Sequence, residues 1–358
     1  GVEGRRELSG DNESTTNESL FGALGFTLPL DMFGRNRREV EAARASLEVA
    51  EAELRDVVLT RSTDVAREYL RLRGGQRQLE LLEESVALQE KTLSVVKSRF
   101  QAGLSPELDL RRAETSVERL RADIPPLQES LTNSRNLLAN LTGEYPGAFE
   151  ETLRKTAAIP SYQREIPAPI PVDVLRQRPD IRRAEAELKR TIAEIGVAEA
   201  DYYPVFRLFG QLRVGTSGFS GDPSMDLIIG SLGALVEQVI TDGGAREANV
   251  ENARARADEA LANYRQALLD AAQSIETTLA ALKSSLARQE SLGKAVESSS
   301  RSFNQAENLY QLGLISFLDV VDAQRVLASA EQQLAAERTN YATRIATLFR
   351  VLGTNVEN

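Results

Sequence analysis

The sequence predicts a mainly α-helical protein with a small β part, in which long antiparallel helical hairpins form a tandem repeat. Three observations predict it. The chain matches itself at a constant offset of 210 residues, apolar residues recur in steps of three and four over very long stretches, and short period-two segments precede the helical ones.

The offset sets Val40, Glu41, Ala43, Arg44 and Ala45 on Val250, Glu251, Ala253, Arg254 and Ala255. Further on, Gly103, Leu104, Leu108 and Asp109 fall on Gly313, Leu314, Leu318 and Asp319, and Gly143 falls on Gly353, without a gap. Long helices tolerate no insertions, so an unbroken offset is what a duplicated helical unit leaves behind.

In chain order, residues 1–34 are expected to hold the end of a first strand, a loop and a second strand. Leu20, Gly22, Leu24, Phe26, Leu28 and Leu30 alternate there with Ser19, Phe21, Ala23, Gly25, Thr27 and Pro29. Residues 35–143 read as a helical hairpin with a seam through Val40, Ala43, Leu47, Ala50, Leu54, Leu79, Leu82 and Val86, and Gly74-Gly75 offers a break. Its second helix, from about Pro106 to Leu141, contains Pro125 and Pro126, which should bend it. Residues 144–178 carry Pro146, Pro160, Pro167, Pro169 and Pro171 and read as an irregular linker, followed by a short helix over 179–201. Residues 202–243 give two strands, Phe206 to Val214 and Ile228 to Ile240 on alternate positions, around a Gly215–Asp226 loop. Residues 244–358 form the second hairpin, with a seam through Val250, Ala253, Ala257, Leu261, Tyr264, Leu268, Ala271, Ile275, Leu279, Leu282 and Leu286. Its first helix, from about Arg246 to Leu309, would be roughly 90 Å long at 1.5 Å per residue. The turns Gln101–Pro106 and Gln311–Ser316 each carry a Gly to end one helix, and Ser105 or Ser316 to cap the next. They set two tips side by side, a surface suited to docking.

Composition excludes many functions. The 358 residues carry a net charge of −10, which disfavours nucleic acid as a partner. Without Cys, His or Trp, the chain has no thiolate or imidazole for a metal, no Cys nucleophile and no His-based triad. No catalytic residue, cofactor or metal is expected. The absence of Cys fits an oxidising compartment and a reducing one equally. No apolar run is long enough for a transmembrane helix, but strands of about ten residues suffice for a tilted barrel. The alternation alone also fits a soluble sheet with one face on a core. The strands have no other large apolar element to cover them, whereas lipid could, and in lipid an open sheet must close with strands of other chains. Subtracting the offset from Tyr202–Val214 lands at and before Gly1, so the natural protein is expected to extend further at its N-terminus by tens of residues.

The stretch Pro171–Phe206, centred on Arg178-Pro179-Asp180, resembles the inter-repeat signature of the TolC/OprM-like outer membrane factor family of Gram-negative efflux and type I secretion systems. LDMFGR at Leu30–Arg35, TDGGAR at Thr241–Arg246 and the two Gly-Leu…Leu-Asp turns support it. Two departures are Gln238–Asp242, where relatives often have Pro and Phe, and the Pro125-Pro126 pair. The resemblance implies a TolC-like fold: a homotrimer with four strands per protomer in a shared transmembrane β-barrel, continued by a periplasmic helical tunnel. It also implies a location in outer membrane lipid and two partners, a periplasmic adaptor (membrane fusion) protein and an inner-membrane transporter. The function implied is the outer membrane channel of a tripartite efflux system, a passive exit duct. A type I secretion channel is the alternative within the family, and a soluble coiled-coil scaffold the alternative outside it.

Asp319 and Asp322 stand three apart on a helix and face one way, so threefold repetition would make rings of negative charge that attract cations. The resemblance adds a periplasmic gate at Asp109, Tyr310, Asp319, Asp322 and Arg325, with Leu318 as an apolar plug. An ordinary solvated Asp322–Arg325 pair, worth about 0 to 1 kcal/mol, is the plain alternative. The hairpin tips, Gly103, Leu104 and Ser105 with Gly313, Leu314 and Ser316, are the expected contacts for the adaptor.

Overall fold

The computed structural model describes residues 2–7, 17–160, 162, 176–218 and 225–353. In order these form β1 (Val2–Glu7), β2 (Asn17–Leu30), α1 (Arg35–Gln101), α2 (Glu107–Ala122), α3 (Ile124–Leu141), α4 (Glu150–Arg154), α5 (Pro179–Ala200), β3 (Val205–Gly218), β4 (Met225–Glu237), α6 (Ala245–Gln311) and α7 (Phe317–Leu352). The duplication survives into geometry. Helices α1 and α6 both have 67 residues and start 210 apart. Gly34 and Gly244, Gly103 and Gly313, and Gly143 and Gly353 all take positive φ. No described helix is long and apolar enough to cross a membrane.

The chain divides into two compact units, one comprising residues 1–50 and 183–265, the other 51–182 and 266–358. The first holds an antiparallel sheet in the order β1-β2-β3-β4. Its register puts Leu24 beside Leu212 and Gly230, Phe26 beside Gly210 and Leu232, Leu28 beside Leu208 and Ala234, and Leu30 beside Phe206 and Val236. One face is therefore wholly apolar over these rungs. The other is mixed, with Thr27, Arg207, Gln211, Arg213, Ser231 and Glu237 beside Phe209, Ile229 and Leu235, and with Arg207 and Glu237 paired at 3.4 Å. Leu24, Leu232 and Ile228 are at least 70% exposed, so no described residue covers this part of the apolar face. Glycines make room for aromatics across strands: a Cβ at Gly210 would run into the Phe26 ring, and one at Gly233 into Phe209. The strands extend beyond the expected Gly215–Asp226 loop limits, and 219–224 lie outside the described residues. Ile240, expected on the strand face, falls after β4 ends at Glu237. At the N-terminus, β1 supplies the partial counterpart of β3 that the repeat required, paired to β2 from Val2↔Gly22 to Glu7↔Asn17.

The quoted motifs before each long helix are caps. Asp31 accepts the backbone N–H groups of Asn36 and Arg37 at 3.0 and 3.1 Å, and Asp242 accepts those of Gly244 and Arg246 at 3.1 and 3.0 Å. Asp242 also takes the Arg246 guanidinium at 2.6 Å.

The second unit packs around three apolar clusters: Val96, Phe303, Tyr310 and Phe317; Leu72, Leu131 and Leu138; and Leu282, Ile345 and Leu348. Three expectations need correction here. Gly74-Gly75 does not break α1, because the two glycines keep helical backbone and serve close approach, a Cβ there meeting Thr339 and Leu131 respectively. Pro125-Pro126 does more than bend a helix: α2 ends, Asp123 intervenes, and the prolines sit in the first turn of α3, where their missing N–H groups have no intrahelical partner to lose. The seams also differ in place. Leu286 is exposed while Ser285 is buried against Glu337 of α7. In α1 the expected Leu82 and Val86 are buried and Leu79 partly so, but nearer the start of the helix Ala45, Ala52 and Leu59 are the buried positions, leaving Val40, Leu47 and Leu54 about half exposed or more.

Within the linker, α4 forms in a segment expected to be irregular. Arg73 of α1 donates to the Lys155 carbonyl at 2.6 Å and Gln76 to that of Leu153 at 2.7 Å. Pro167, Pro169 and Pro171 lie outside the described residues. At the end of this segment Arg178 forks onto both Asp180 oxygens at 3.0 and 2.7 Å and donates to the Val351 carbonyl in the last turn of α7 at 2.7 Å. Burial tends to raise the Asp180 carboxyl, but Arg178 and the Ile181 N–H outweigh it and hold it below the usual range.

The glycines separate two roles by experiment. Gly74→Ala should lower stability by about 1–3 kcal/mol by forcing α1 away from Thr339. Gly293→Ala, with nothing within 4 Å of the added carbon, should raise it by about 0.5–1 kcal/mol. Thermal unfolding midpoints in detergent check both signs.

Candidate functional site: the paired helical tips

Each long helix ends in the same chain reversal. The Leu104 N–H reaches the Arg99 carbonyl at 2.8 Å and that of Gly103 reaches Phe100 at 2.9 Å. Leu314 and Gly313 repeat this on Leu309 and Tyr310, both at 2.9 Å. This is the Schellman arrangement, which needs left-handed backbone at the penultimate residue, and φ is 72° at Gly103 and 77° at Gly313.

The two reversals lie together. Arg99 of α1 donates to the Tyr310 carbonyl of α6 at 3.2 Å and covers the Tyr310 ring at 4.9 Å. It thus brings a cation to an α6 C-terminal carbonyl. Tyr310 packs on Phe317, with ring centroids 6.1 Å apart, and is 5% exposed. Burial raises its phenol above the usual value, against the pull of Ser105 and Arg99.

Ser316 caps α7 in a reciprocal box with Asp319, whose carboxylate accepts the Ser316 hydroxyl at 2.7 Å and N–H at 2.9 Å. These bonds hold the Asp319 carboxyl below the usual carboxylate range, so it is ionised at neutral pH. The first repeat departs from this. Pro106, not Ser105, is the N-cap of α2, and no side chain caps it. The Ser105 hydroxyl lies 3.4 Å from Asp109 instead.

The expected gate residues fall into two groups. Leu318, Asp319, Asp322 and Arg325 are exposed on α7, with Asp322 and Arg325 paired at 2.7 Å. Tyr310 lies in the apolar core, and Asp109 is partly buried, 3.9 Å from Arg112. Leu104 and Leu314 project at 69% and 68% exposure, accompanied by Leu108 and Leu312. Sequence reasoning passed over Arg99, Leu108 and Leu312 as site residues. Leu108 stood in the repeat match, and Arg99 is the basic residue in the last turn of α1.

Set beside known proteins, residues 3–144 and 170–354 match the model of the outer membrane efflux protein family. The chain belongs to the outer membrane efflux protein family. Nodulation protein T of Rhizobium leguminosarum bv. trifolii is 30% identical over 345 residues, covering 95% of this chain and 73% of the relative. Cation efflux system protein CusC of Escherichia coli K12 is 29% identical over 357 residues, covering 98% and 77%. Among solved structures, the outer-membrane channel OprN superposes with a TM-score of 0.90 at 28% identity, over 99% of this chain and 80% of that one. The open state of the Neisseria gonorrhoeae MtrE channel gives 0.84 at 27%, over 99% and 79%. This outer membrane efflux protein accordingly has a TolC-like fold and resides in the Gram-negative outer membrane. It is an efflux channel of the kind that forms the outer component of tripartite systems, and the soluble scaffold reading is set aside.

The cap of α7 in this efflux protein gives a test with a sign. Because the Asp319 carboxyl is lowered, its stabilisation is full above the ordinary carboxylate pKa of 3.8 and is lost as pH falls through the lowered value. Ser316→Ala should speed amide exchange at the start of α7 about fivefold at neutral pH, the equivalent of one lost cap. At a pH where Asp319 is protonated the variant and parent should differ less. Hydrogen exchange resolved to the tip peptides reads both.

Proposed function

We propose that three copies of this chain close a twelve-stranded barrel, continued by a periplasmic helical tunnel, as a passive exit duct without catalytic role, cofactor or nucleic-acid partner. The observation that carries the reading is the four-stranded sheet with one wholly apolar, uncovered face. Among the described residues β1 and β4 each pair on one side only. Lipid suits the face, but not the free edges, whose unpaired N–H and C=O groups each cost several kcal/mol in hydrocarbon. Closure with further copies satisfies both. Val40, Leu47 and Leu54, spaced by seven and exposed, supply a matching apolar stripe for a neighbouring protomer.

In this reading residues 35–143 and 244–358 are the periplasmic hairpins, 144–178 with its Arg73 and Arg178 contacts is the equatorial linker, and 1–34 and 202–243 with the 179–201 helix form the membrane end. Leu318, Asp319, Asp322 and Arg325 on α7 and Asp109 on α2 line the closure, and Tyr310 braces it from behind. Gly103, Leu104, Ser105, Gly313, Leu314 and Ser316 meet a periplasmic adaptor that couples the duct to an inner-membrane transporter. The exposed leucines give that contact an apolar centre, and the glycines set its backbone path.

Reconstituted trimers should give discrete, cation-selective channels in planar bilayers. Asp319→Asn with Asp322→Asn should move the reversal potential under a salt gradient toward zero, because each trimer loses six negative charges at the constriction. An unchanged reversal potential would sink the charge-ring role, and an absence of channels would sink the duct.

A further inference from the structure

At the foot of the sheet, α5 presents two opposite sides. At 100° per residue, Glu194, Val197 and Ala198 lie on one and Gly196, Glu199 and Ala200 on the other, with Tyr203 in the turn that follows. The second side lines a cleft of about 520 Å³, completed by Phe33 and Arg38 and by Glu247, Glu251 and Arg254 from the start of α6. Arg38 reaches across only because residue 196 is glycine: a Cβ there would stand 2.8 Å from the Arg38 Cγ.

The chemistry of the cleft is mixed in a definite order. On its upper rim Phe33 stacks on Tyr203, with centroids 4.5 Å apart and planes at 12°, and lies 6.5 Å from Phe206. Phe206 shares the last rung of the apolar sheet face with Leu30 and Val236. The aromatic rim is therefore where the apolar face stops. Beyond it stand two arginines and three glutamates, with Arg254 on Glu199 at 2.9 Å and Arg38 turned along α1 to Glu41 at 2.7 Å. With Arg38 and Arg254 each on one carboxylate, an occupant that continues the apolar face upward fits best with an anion that shares the two guanidiniums with Glu41 and Glu199 and a cation for Glu247 and Glu251. A simple anionic head would leave those last two carboxylates unpaired, and a wholly apolar molecule would strip water from charges without replacing it.

We propose that this cleft binds the headgroup of a zwitterionic aminophospholipid, its phosphate on Arg38 and Arg254, its ammonium on Glu247 and Glu251, and its chains along Leu30, Phe206 and Val236. The site is continuous with the lipid-facing sheet and anchors the membrane end of the protein at one depth. It rests on the apolar face being the lipid face, as in the proposed duct.

Native mass spectrometry of the full chain in detergent, exchanged into equimolar phosphatidylethanolamine and phosphatidylglycerol, tests it. The parent should retain phosphatidylethanolamine over phosphatidylglycerol by about tenfold, the order expected for two partly exposed ion pairs. Glu247→Gln with Glu251→Gln should bring the two lipids to parity, and Arg38→Gln with Arg254→Gln should reduce retention of both. Equal retention by the parent, an unchanged preference in the glutamine pair, or full displacement by chain-free glycerophosphoethanolamine would overturn the proposal. Conductance of the same preparation separates the readings: channels without lipid preference refute this site alone, whereas lipid preference without channels supports the site and refutes the duct.

Discussion

A peptide group in hydrocarbon has no water to bond, and most features of this efflux protein follow from that. Four strands pair among themselves along three ladders and leave two edges. The β4 edge is not blunted in the usual soluble ways: it runs Met225–Glu237 without a proline and with alternating apolar residues to its end. Such an edge in water invites aggregation; in a barrel it is a joint. The same logic explains why apolar positions on α1 that look like a seam do not face the chain's own core. In the proposed trimer this is the surface that a neighbouring copy covers, and a monomer would have had to bury it.

Away from the membrane the constraint changes from backbone satisfaction to close approach. Glycine serves both, differently. At the tips Gly103 and Gly313 provide left-handed backbone, and no larger residue turns the chain there without strain. At Gly74 and Gly75 the backbone is ordinary helix and the missing side chain is what counts, because Thr339 and Leu131 occupy its place. Ionic groups divide similarly. The Arg178 fork, with its arginine 11% exposed, ties the signature segment to the end of α7, whereas Asp322 and Arg325, paired at the surface, add little to stability.

These distinctions mark how far the sequence was legible. The offset of 210, the two tips, α5 and the strand faces could all be read, since each follows from periodicity or from a turn residue whose backbone need is local. The continuity of α1 through Gly74-Gly75 could not, because a helical glycine looks the same whether it breaks a helix or admits a neighbour. The choice between Val40-Leu47-Leu54 and Ala45-Ala52-Leu59 as the buried stripe was hidden for a related reason: both have heptad spacing, and only the partner decides. At the tips the structure adds local roles that the spacing of the charges does not announce. Asp319 turned out to cap its own helix, and Tyr310, placed at the gate by resemblance, is held in the core by Arg99 and Phe317.

The unbroken offset is itself a mechanical statement. One residue inserted into α1 or α6 would turn everything beyond it by about 100° and advance it by about 1.5 Å. The apolar stripe would leave its partner, and the tip would rotate away from the side on which Arg99 meets Tyr310. Loops absorb such changes and 67-residue helices cannot, so in each repeat the distance from the helix cap at Asp31 or Asp242 to the tip glycine is held to within one residue. Irregularity is confined instead to where it is harmless: the linker around α4, and the interruption at Asp123, which sits on the return helix of only one repeat. Conserving length between cap and tip is thus the sequence-level form of keeping each tip in phase with the helical seam that leads to it.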